Sequence, residues 1–175
     1  MIVSKRTAMI WWVGGLIAFA IVIALSVPLI TDSVPGGISD HQNAPDAAAV
    51  DGIQNAWRAD GLAGLATISM IGDLIFIGIY GIGCVLAGMH YRAHGAGVLR
   101  VLGWIAMGSG IVFLVSDYGE TVCQLIQMVR FAGDNDLAAI ASGLRPIKVA
   151  AWIVSFLAVL GALLAERSYS GKAPG

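Results

Sequence analysis

Four long apolar stretches, separated by polar segments, dominate the pattern of residues along this chain. A helix of about 20 apolar residues covers the roughly 30 Å hydrocarbon core of a bilayer. Backbone groups in lipid must find their hydrogen bonds within the helix, because no water is present. We therefore predict an all-α integral membrane protein, with four transmembrane helices in an antiparallel bundle and one domain covering residues 1–175. The predicted helices cover about residues 8–30, 62–89, 98–128 and 146–165.

Two prolines and one long polar segment refine this picture. Pro28 fits the point at which the first helix leaves the membrane, and Pro146 falls in the first turn of the fourth helix, where proline is tolerated. Residues 31–61 form the only extended loop that the pattern predicts. Within this loop, residues 47–57 could form a short interfacial helix.

Composition supports a membrane protein and argues against several other classes. The chain is 58% hydrophobic and only 12% charged, with a mean hydropathy of +0.83, which is too apolar for a soluble domain of this size. A formal net charge of −1 argues against a nucleic-acid partner, since binding phosphates requires a basic patch. Cys84 and Cys123 form no CxxC or metal-ligand spacing, and we predict no metal site.

The distribution of basic residues predicts the orientation. With a cytoplasmic N-terminus, the inner side carries twice as many basic residues as the outer side, as the positive-inside rule expects. The inner residues are Lys5, Arg6, Arg92, Arg100, Arg167 and Lys172, and the outer ones are Arg58, Arg130 and Arg145. We therefore predict a membrane protein with both termini in the cytoplasm. The alternative is a cleaved signal peptide ending near Ala18-Phe19-Ala20, although the apolar run continues past that site.

The most informative residues are Asp117 and Glu120, which lie within the third apolar stretch. A charge at bilayer depth costs roughly 3 kcal/mol on insertion scales, so such residues usually face a bundle interior or a water-filled cavity. A spacing of three places both carboxylates on one face of a helix. Gln124 and Gln127 extend the same face by two turns.

Polar groups in the other helices lie at a comparable depth, and together they predict an outward-facing acidic pocket. The residues predicted to line it are Asp73, Tyr80, Asp117, Glu120, Gln124 and Lys148, with Arg58, Asp60 and Arg145 at the rim. Three carboxylates exceed the available cations, which favours a bound cation, a protonated carboxyl group or solvent. The alternative is that these groups only pair with one another and fix the register of the helices.

The histidines give weaker signals. His90 and His94 lie in a short inner loop, and no third residue is spaced to complete a metal site with them. His41 lies in the outer loop, where it could serve as an axial haem ligand. We predict no cofactor otherwise.

The pattern of acidic residues resembles that of an uncharacterised group of bacterial four-helix membrane proteins, over about residues 55–155. The resemblance rests on Asp73 with Tyr80, on the tract Ser-Asp-Tyr-Gly-Glu-Thr that contains Asp117 and Glu120, and on Ala141-Ser142 followed by Lys148. In that group an asparagine follows the glutamate, and here Thr121 takes its place. The resemblance implies a four-helix fold in which the acids and the lysine act as one unit, and it carries no activity.

A thinner similarity is to the styrene oxide isomerases, which are also small four-helix membrane proteins. Their tract before the second helix reads Trp-Ala-Arg-Ala-His, and this chain has Trp57-Arg58-Ala59-Asp60 in that neighbourhood. The haem-binding histidine of that family would fall on Asp60. A carboxylate there cannot bind haem in the same way.

The sequence is compatible with several functions. A binding protein would use the carboxylates to hold a small cationic or amphipathic, lipid-soluble molecule. A membrane enzyme, isomerase-like, would use Asp117, Glu120 or Asp73 as general acid and base on a hydrophobic substrate. A small cation-coupled transporter is disfavoured, since the polar residues gather in the outer half. A structural accessory subunit would turn the third helix toward another protein.

The expected partners are membrane lipid, a small hydrophobic or amphipathic molecule and a second copy of the chain.

Overall fold

The computed structural model describes residues 3–170, and the side chains of residues 3–168. This part of the chain is helical, with no strand. The helices are α1 (Lys5–Ser26), α2 (Ile38–Gln42), α3 (Ala47–Ala59), α4 (Ala63–His94), α5 (Val98–Arg130) and α6 (Asn135–Ser170), with a 3₁₀ turn at Val27–Leu29 after α1. Lys172, one of the basic residues used to predict orientation, lies outside the described residues.

Four of these helices, α1, α4, α5 and α6, are long and apolar enough to cross a membrane. α1 packs along α4, α4 along α5, and α5 along α6. Large aliphatic side chains cover the outer surface: Ile10 is 62% exposed and Val115 is 70% exposed. An apolar surface of this kind suits contact with lipid chains. The predicted all-α bundle of four apolar helices is confirmed.

Small residues allow α1 to approach α4 closely. A Cβ atom added at Gly15 would lie 2.5 Å from the Cα of Tyr80, and one added at Gly83 would lie 2.6 Å from the backbone nitrogen of Trp12. No real side chain fits at such distances. The backbones therefore meet at these two glycines, which is a common way to pack helices in membranes.

The fourth spanning helix begins earlier than predicted. α6 starts at Asn135, and Pro146 lies inside the helix rather than in its first turn. The carboxylate of Asp134 accepts hydrogen bonds from the backbone nitrogens of Asp136 and Leu137, both at 3.0 Å, and so caps the helix start. The added turns bury Ala138 against the residues that precede and form α3. Pro146 therefore removes one backbone hydrogen bond inside the helix.

The boundaries of the other spanning helices shift by smaller amounts. α4 continues to His94 and α5 to Arg130, beyond the predicted ends at residues 89 and 128. α1 begins at Lys5, where the hydroxyl of Ser4 accepts a hydrogen bond from the backbone nitrogen of Thr7 at 3.1 Å. Pro28 lies in the 3₁₀ turn that follows α1, as expected of a residue that ends a helix.

Residues 31–61 are not an extended loop, since they contain α2 and α3. α3 covers the segment predicted to be a short helix, and the carboxylate of Asp46 caps it through the backbone nitrogen of Ala49 at 2.9 Å. The two helices, which we call the cap, close one end of the bundle. Trp57 is fully buried there, and its indole nitrogen donates to the carbonyl of Leu29 at 2.9 Å.

Candidate functional site

The centre of the site is an ion-pair cluster between α5 and α6. The ammonium group of Lys148 lies 2.9 Å from Oδ1 of Asp117 and 2.9 Å from Oε1 of Glu120. The two carboxylates lie almost one turn apart on α5, so one ammonium group reaches both. Asp117 is 3% exposed and Glu120 is fully buried. The structure therefore brings these three predicted residues together inside the bundle.

Thr121 connects the third acid, Asp73 of α4, to this cluster. Its hydroxyl oxygen lies 3.2 Å from Oδ2 of Asp73 and 3.4 Å from Oδ1 of Asp117. The single hydroxyl hydrogen can be donated to one of these carboxylates at a time. Asp73 itself is half-buried. Acidic groups from two helices thus meet at one hydroxyl group, and the cation from a third helix pairs with one of them.

The glutamines of α5 take different positions. Gln124 donates through Nε2 to Oε1 of Glu120 at 3.1 Å. The other oxygen of Glu120, Oε2, is buried and has no hydrogen-bond partner among the described residues. Gln127 lies outside the cluster, because its side-chain amide oxygen, Oε1, accepts from the backbone nitrogen of Asp134 at 3.0 Å and so supports the turn into α6.

A cavity of about 220 Å³ lies beside the cluster. Its polar lining includes Asp73, Asp117, Gln124 and Lys148. Its apolar lining includes four aromatic side chains: Phe19, Phe76, Phe113 and Trp152. An engineered cavity of about 150 Å³ holds benzene, so this space suits a small molecule that combines an apolar body with a polar group.

Glu120 and Tyr80 were predicted to line the pocket, but both are absent from the cavity lining. Glu120 is fully buried in its ion pair with Lys148. Tyr80 packs behind the cavity walls. Its hydroxyl group lies 3.2 Å from the carbonyl of Trp152 and 3.1 Å from Oγ of Ser155. Its ring packs edge-on against Phe113, with the centroids 5.2 Å apart. Tyr80 therefore supports two aromatic walls of the cavity from outside.

The predicted rim residues separate into two groups. The guanidinium group of Arg58 lies over the ring of Phe131, 3.4 Å from its centroid, and Asp60 is exposed at the end of α3. Neither Arg58 nor Asp60 lines the cavity. Arg145 donates to the carbonyl and the hydroxyl oxygen of Ser39, at 3.1 and 2.6 Å. It thereby holds α2, which contributes Ile38 and Gln42 to the lining.

His41, considered above as a haem ligand, belongs to the cap. It is 2% exposed, and its ring stacks on Trp57 with the centroids 5.6 Å apart. Burial lowers the pKa of His41 to about 4, because the imidazolium form loses its hydration there. Neither His41 nor Asp60 lines the cavity, and the described residues contain no group of His, Cys, Asp and Glu arranged to hold a metal ion. The chemistry of the cavity is that of carboxylates, a lysine and aromatic rings.

Sequence reasoning missed two parts of the site. Thr121 was noted only as a departure from a family pattern, although its position four residues after Asp117 places it on the same helical face. The aromatic walls had no signal in the sequence, because Phe19, Phe76, Phe113 and Trp152 come from four different helices. Only the packing of those helices brings the rings together.

No protein-family model, curated protein or solved structure matches this chain.

Proposed function

We propose that this protein binds a small cationic, lipid-soluble molecule in the cavity. In this proposal Asp73 receives the positive charge, and the aromatic walls contact the apolar body of the ligand. The observation that carries the proposal is the position of Asp73, which lines an aromatic cavity while the lysine of the cluster is paired with the other two acids.

The charge balance supports this assignment. Lys148 forms ion pairs with Asp117 and Glu120, and no basic side chain lies within 4.0 Å of Asp73 among the described residues. A carboxylate in a low-dielectric setting is costly unless a cation compensates it. A ligand cation beside Asp73 would supply that compensation.

The walls of the cavity also favour a cation with an apolar body. The faces of aromatic rings attract cations, and this attraction contributes about 2 kcal/mol in desolvated sites. The ring of Phe19 lies 5.1 Å from that of Phe76 and 5.4 Å from that of Trp152, measured between centroids. Aromatic rings and a carboxylate together form the usual environment for an organic ammonium group.

A second candidate is a membrane enzyme that performs acid–base chemistry on a hydrophobic substrate. The two carboxyl groups of α5 both pair with Lys148 but occupy unlike environments: Asp117 is also within reach of Thr121, whereas Glu120 has one buried oxygen without a partner among the described residues. Pairs of acids in unlike settings commonly divide the roles of acid and base. Turnover of a bound substrate would distinguish this candidate from a binding protein.

A structural accessory subunit fits these observations less well. That function expects the polar face of α5 to meet another protein. Here Asp117, Glu120, Thr121 and Gln124 are all buried within the chain's own bundle.

We further propose that the cap end faces outward across a bacterial inner membrane. Most basic residues lie at the opposite end, which the positive-inside rule assigns to the cytoplasm. They include Lys5, Arg92, Arg100 and Arg167, whereas Arg58, Arg130 and Arg145 lie toward the cap. The choice of a bacterial inner membrane follows the resemblance to the bacterial four-helix group.

Binding of a compact aromatic amine tests the proposed function. We expect purified protein to bind phenethylamine more tightly than phenethyl alcohol, which has the same ring and no charge. The substitution Asp73→Asn should weaken amine binding at least tenfold, or about 1.4 kcal/mol, and should leave alcohol binding unchanged. Equilibrium binding of the radiolabelled compounds measures both.

The control is Asp60→Asn, which removes an exposed carboxylate outside the cavity. This variant should bind the amine as the wild type does. Equal binding of amine and alcohol, or an Asp73→Asn variant with unchanged amine affinity, would contradict the proposal.

A further inference from the structure

We infer that the cavity opens sideways, between α1 and α6, and that its ligand is a long-chain amine whose hydrocarbon tail leaves through this opening into the bilayer. The inference rests on the proposed function and names the class of molecule that the same site binds. It also assigns a role to two exposed residues, Ile23 and Val149.

The contact between α1 and α6 differs from the other helix contacts in the bundle. α1 packs closely along α4, and α6 along α5, but the backbones of α1 and α6 hardly approach each other. They meet mainly through side chains. Trp12 stacks on Phe156 with the centroids 5.8 Å apart, and Phe19 meets Trp152 at 5.4 Å. We call this contact the α1–α6 seam.

The seam opens on the cap side of the Phe19–Trp152 contact. Ile23 of α1 and Val149 of α6 both line the cavity, although they are 50% and 44% exposed. A side chain that is exposed and also lines a cavity marks a place where the cavity reaches the surface. Both residues lie within spans that are apolar enough to cross a membrane. The opening therefore faces hydrocarbon.

The cap obstructs an approach from water along the bundle axis. Leu29 and Trp57 are fully buried, and Met70 is 2% exposed, in one hydrophobic cluster beneath the cap. α2 lies over the cavity and is held to α6 by the bonds between Arg145 and Ser39. A molecule from the aqueous side would have to displace these groups, whereas the seam needs no such rearrangement.

The shape and lining of the cavity fit an amphiphile. A volume of about 220 Å³ accommodates an ammonium group and a few carbons, but not a long chain. On the side toward the cap the lining carries Ser26, Gln42 and Ser69, which are polar. An amine lying at the membrane interface could place its head on this polar side and against Asp73, with its tail extending between Ile23 and Val149 into lipid.

Dodecylamine and phenethylamine separate this inference from the proposed function. The protein is reconstituted in phosphatidylcholine nanodiscs, and the equilibrium affinity for each amine is measured. Phenylalanines at both seam positions, Ile23→Phe with Val149→Phe, should fill the opening. We expect this double variant to lose at least tenfold in affinity for dodecylamine, because the tail has no exit. Its loss of affinity for phenethylamine, which has no long tail, should be smaller than its loss for dodecylamine, and thermal unfolding shows that the variant is folded.

The matched control places phenylalanines on the same two helices at exposed positions that do not line the cavity. These are Ile21→Phe with Ile153→Phe, at side chains that are 56% and 44% exposed. This pair should bind both amines as the wild type does. A third variant, Ile38→Phe, fills the cap side of the cavity instead.

The outcomes distinguish the two proposals. Wild-type protein that binds neither amine would contradict the proposed function, and the inference with it. If phenethylamine binding depends on Asp73, but the seam variant binds dodecylamine as the control pair does, the side opening is wrong and the proposed function stands. If Ile38→Phe loses dodecylamine binding and the seam variant does not, the opening lies at the cap, and the side opening is wrong.

Discussion

At the scale of single residues, the arrangement around Lys148 shows how one cation keeps several acids inside a membrane bundle. Its ammonium group bonds to Asp117 of the neighbouring helix and also pairs with Glu120. The hydroxyl group of Thr121 lies within hydrogen-bonding distance of both Asp117 and Asp73 of α4. The acids differ in how closely they contact the lysine, because Asp117 and Glu120 form ion pairs with it directly, whereas Asp73 lies beyond ion-pair distance.

We predict that removing Lys148 destabilises the protein more than removing either of its partners. Lys148→Met leaves two buried carboxylates without their cation, and breaking a buried ion pair from one side costs about 3–5 kcal/mol. Asp117→Asn leaves Lys148 paired with Glu120 and should cost clearly less. Thermal unfolding in a single detergent compares the variants.

The control is Lys5→Met, which breaks a more exposed ion pair with Glu166. Exposed pairs contribute little, so this variant should unfold near the wild-type temperature. Equal losses for Lys148→Met and Asp117→Asn, or a larger loss for Asp117→Asn, would show that the lysine does not hold the cluster.

At the scale of elements, the cap formed by α2 and α3 combines contacts of two kinds. Hydrogen bonds tie it to the rest of the chain, including those from Arg145 to Ser39 and from the backbone nitrogen of Gly133 to Asp51. Within the cap, the buried rings of His41 and Trp57 stack on each other. His41 is the member of this set that can gain a charge under mild acid.

We predict that mild acid loosens the cap. The pKa of His41 is lowered from 6.5 to about 4 in the folded protein, so the unfolded cap binds a proton at a higher pH than the folded cap does. The contribution of neutral His41 to stability is complete above about pH 6.5 and is lost as the pH falls toward 4. The loss is about 3 kcal/mol, at about 1.4 kcal/mol per pKa unit.

Hydrogen–deuterium exchange of the α2 and α3 amides checks this expectation between pH 7 and pH 4.5, after correction for intrinsic exchange rates. In His41→Phe, which keeps a ring against Trp57, the protection of the cap should change less with pH. His94→Asn alters an exposed histidine and should behave as the wild type. A cap whose protection depends on pH equally in all three proteins would rule out His41 as the cause.

At the scale of the whole molecule, the helices form an arc in which α1, α4, α5 and α6 follow one another, and the cavity lies where the arc closes through side chains. The tight contacts lie between consecutive members of the arc. The exposed cavity-lining residues, Ile23 and Val149, lie at the looser contact, between α1 and α6. Close packing on one side of α1 therefore accompanies an opening on its other side.

We predict that neighbouring glycines in α1 respond in opposite ways to alanine. Gly15→Ala places a methyl group against the backbone of Tyr80, and overpacking of this kind costs about 1–3 kcal/mol. At Gly14 the nearest atom is 3.6 Å away, on the side chain of Ile79, so Gly14→Ala should be neutral or stabilise by up to about 1 kcal/mol. Thermal unfolding of the two variants measures the difference, and similar midpoints would show that α1 does not meet α4 at Gly15.

The sequence by itself determined the number of spanning helices and the polar face of α5. Both are local properties: hydropathy over about 20 residues sets a span, and the helical repeat places Asp117, Glu120 and Gln124 on one side. The short helix within residues 31–61 was also predicted, since its pattern is contained in its own segment. These features need no knowledge of what packs against them.

The tertiary structure alone decided the rest of the site. It placed Pro146 inside α6, because the helix already starts at Asn135, after the capping residue Asp134, and it left Tyr80 and Glu120 outside the cavity lining. It also joined Asp73 to Asp117 through Thr121 and assembled aromatic rings from four helices into one wall. Such contacts join residues far apart in the chain, and no local pattern encodes which faces of the helices meet. The physical reason is that neighbouring faces in lipid are selected by shape and by paired polar groups, which exist only once the helices are together.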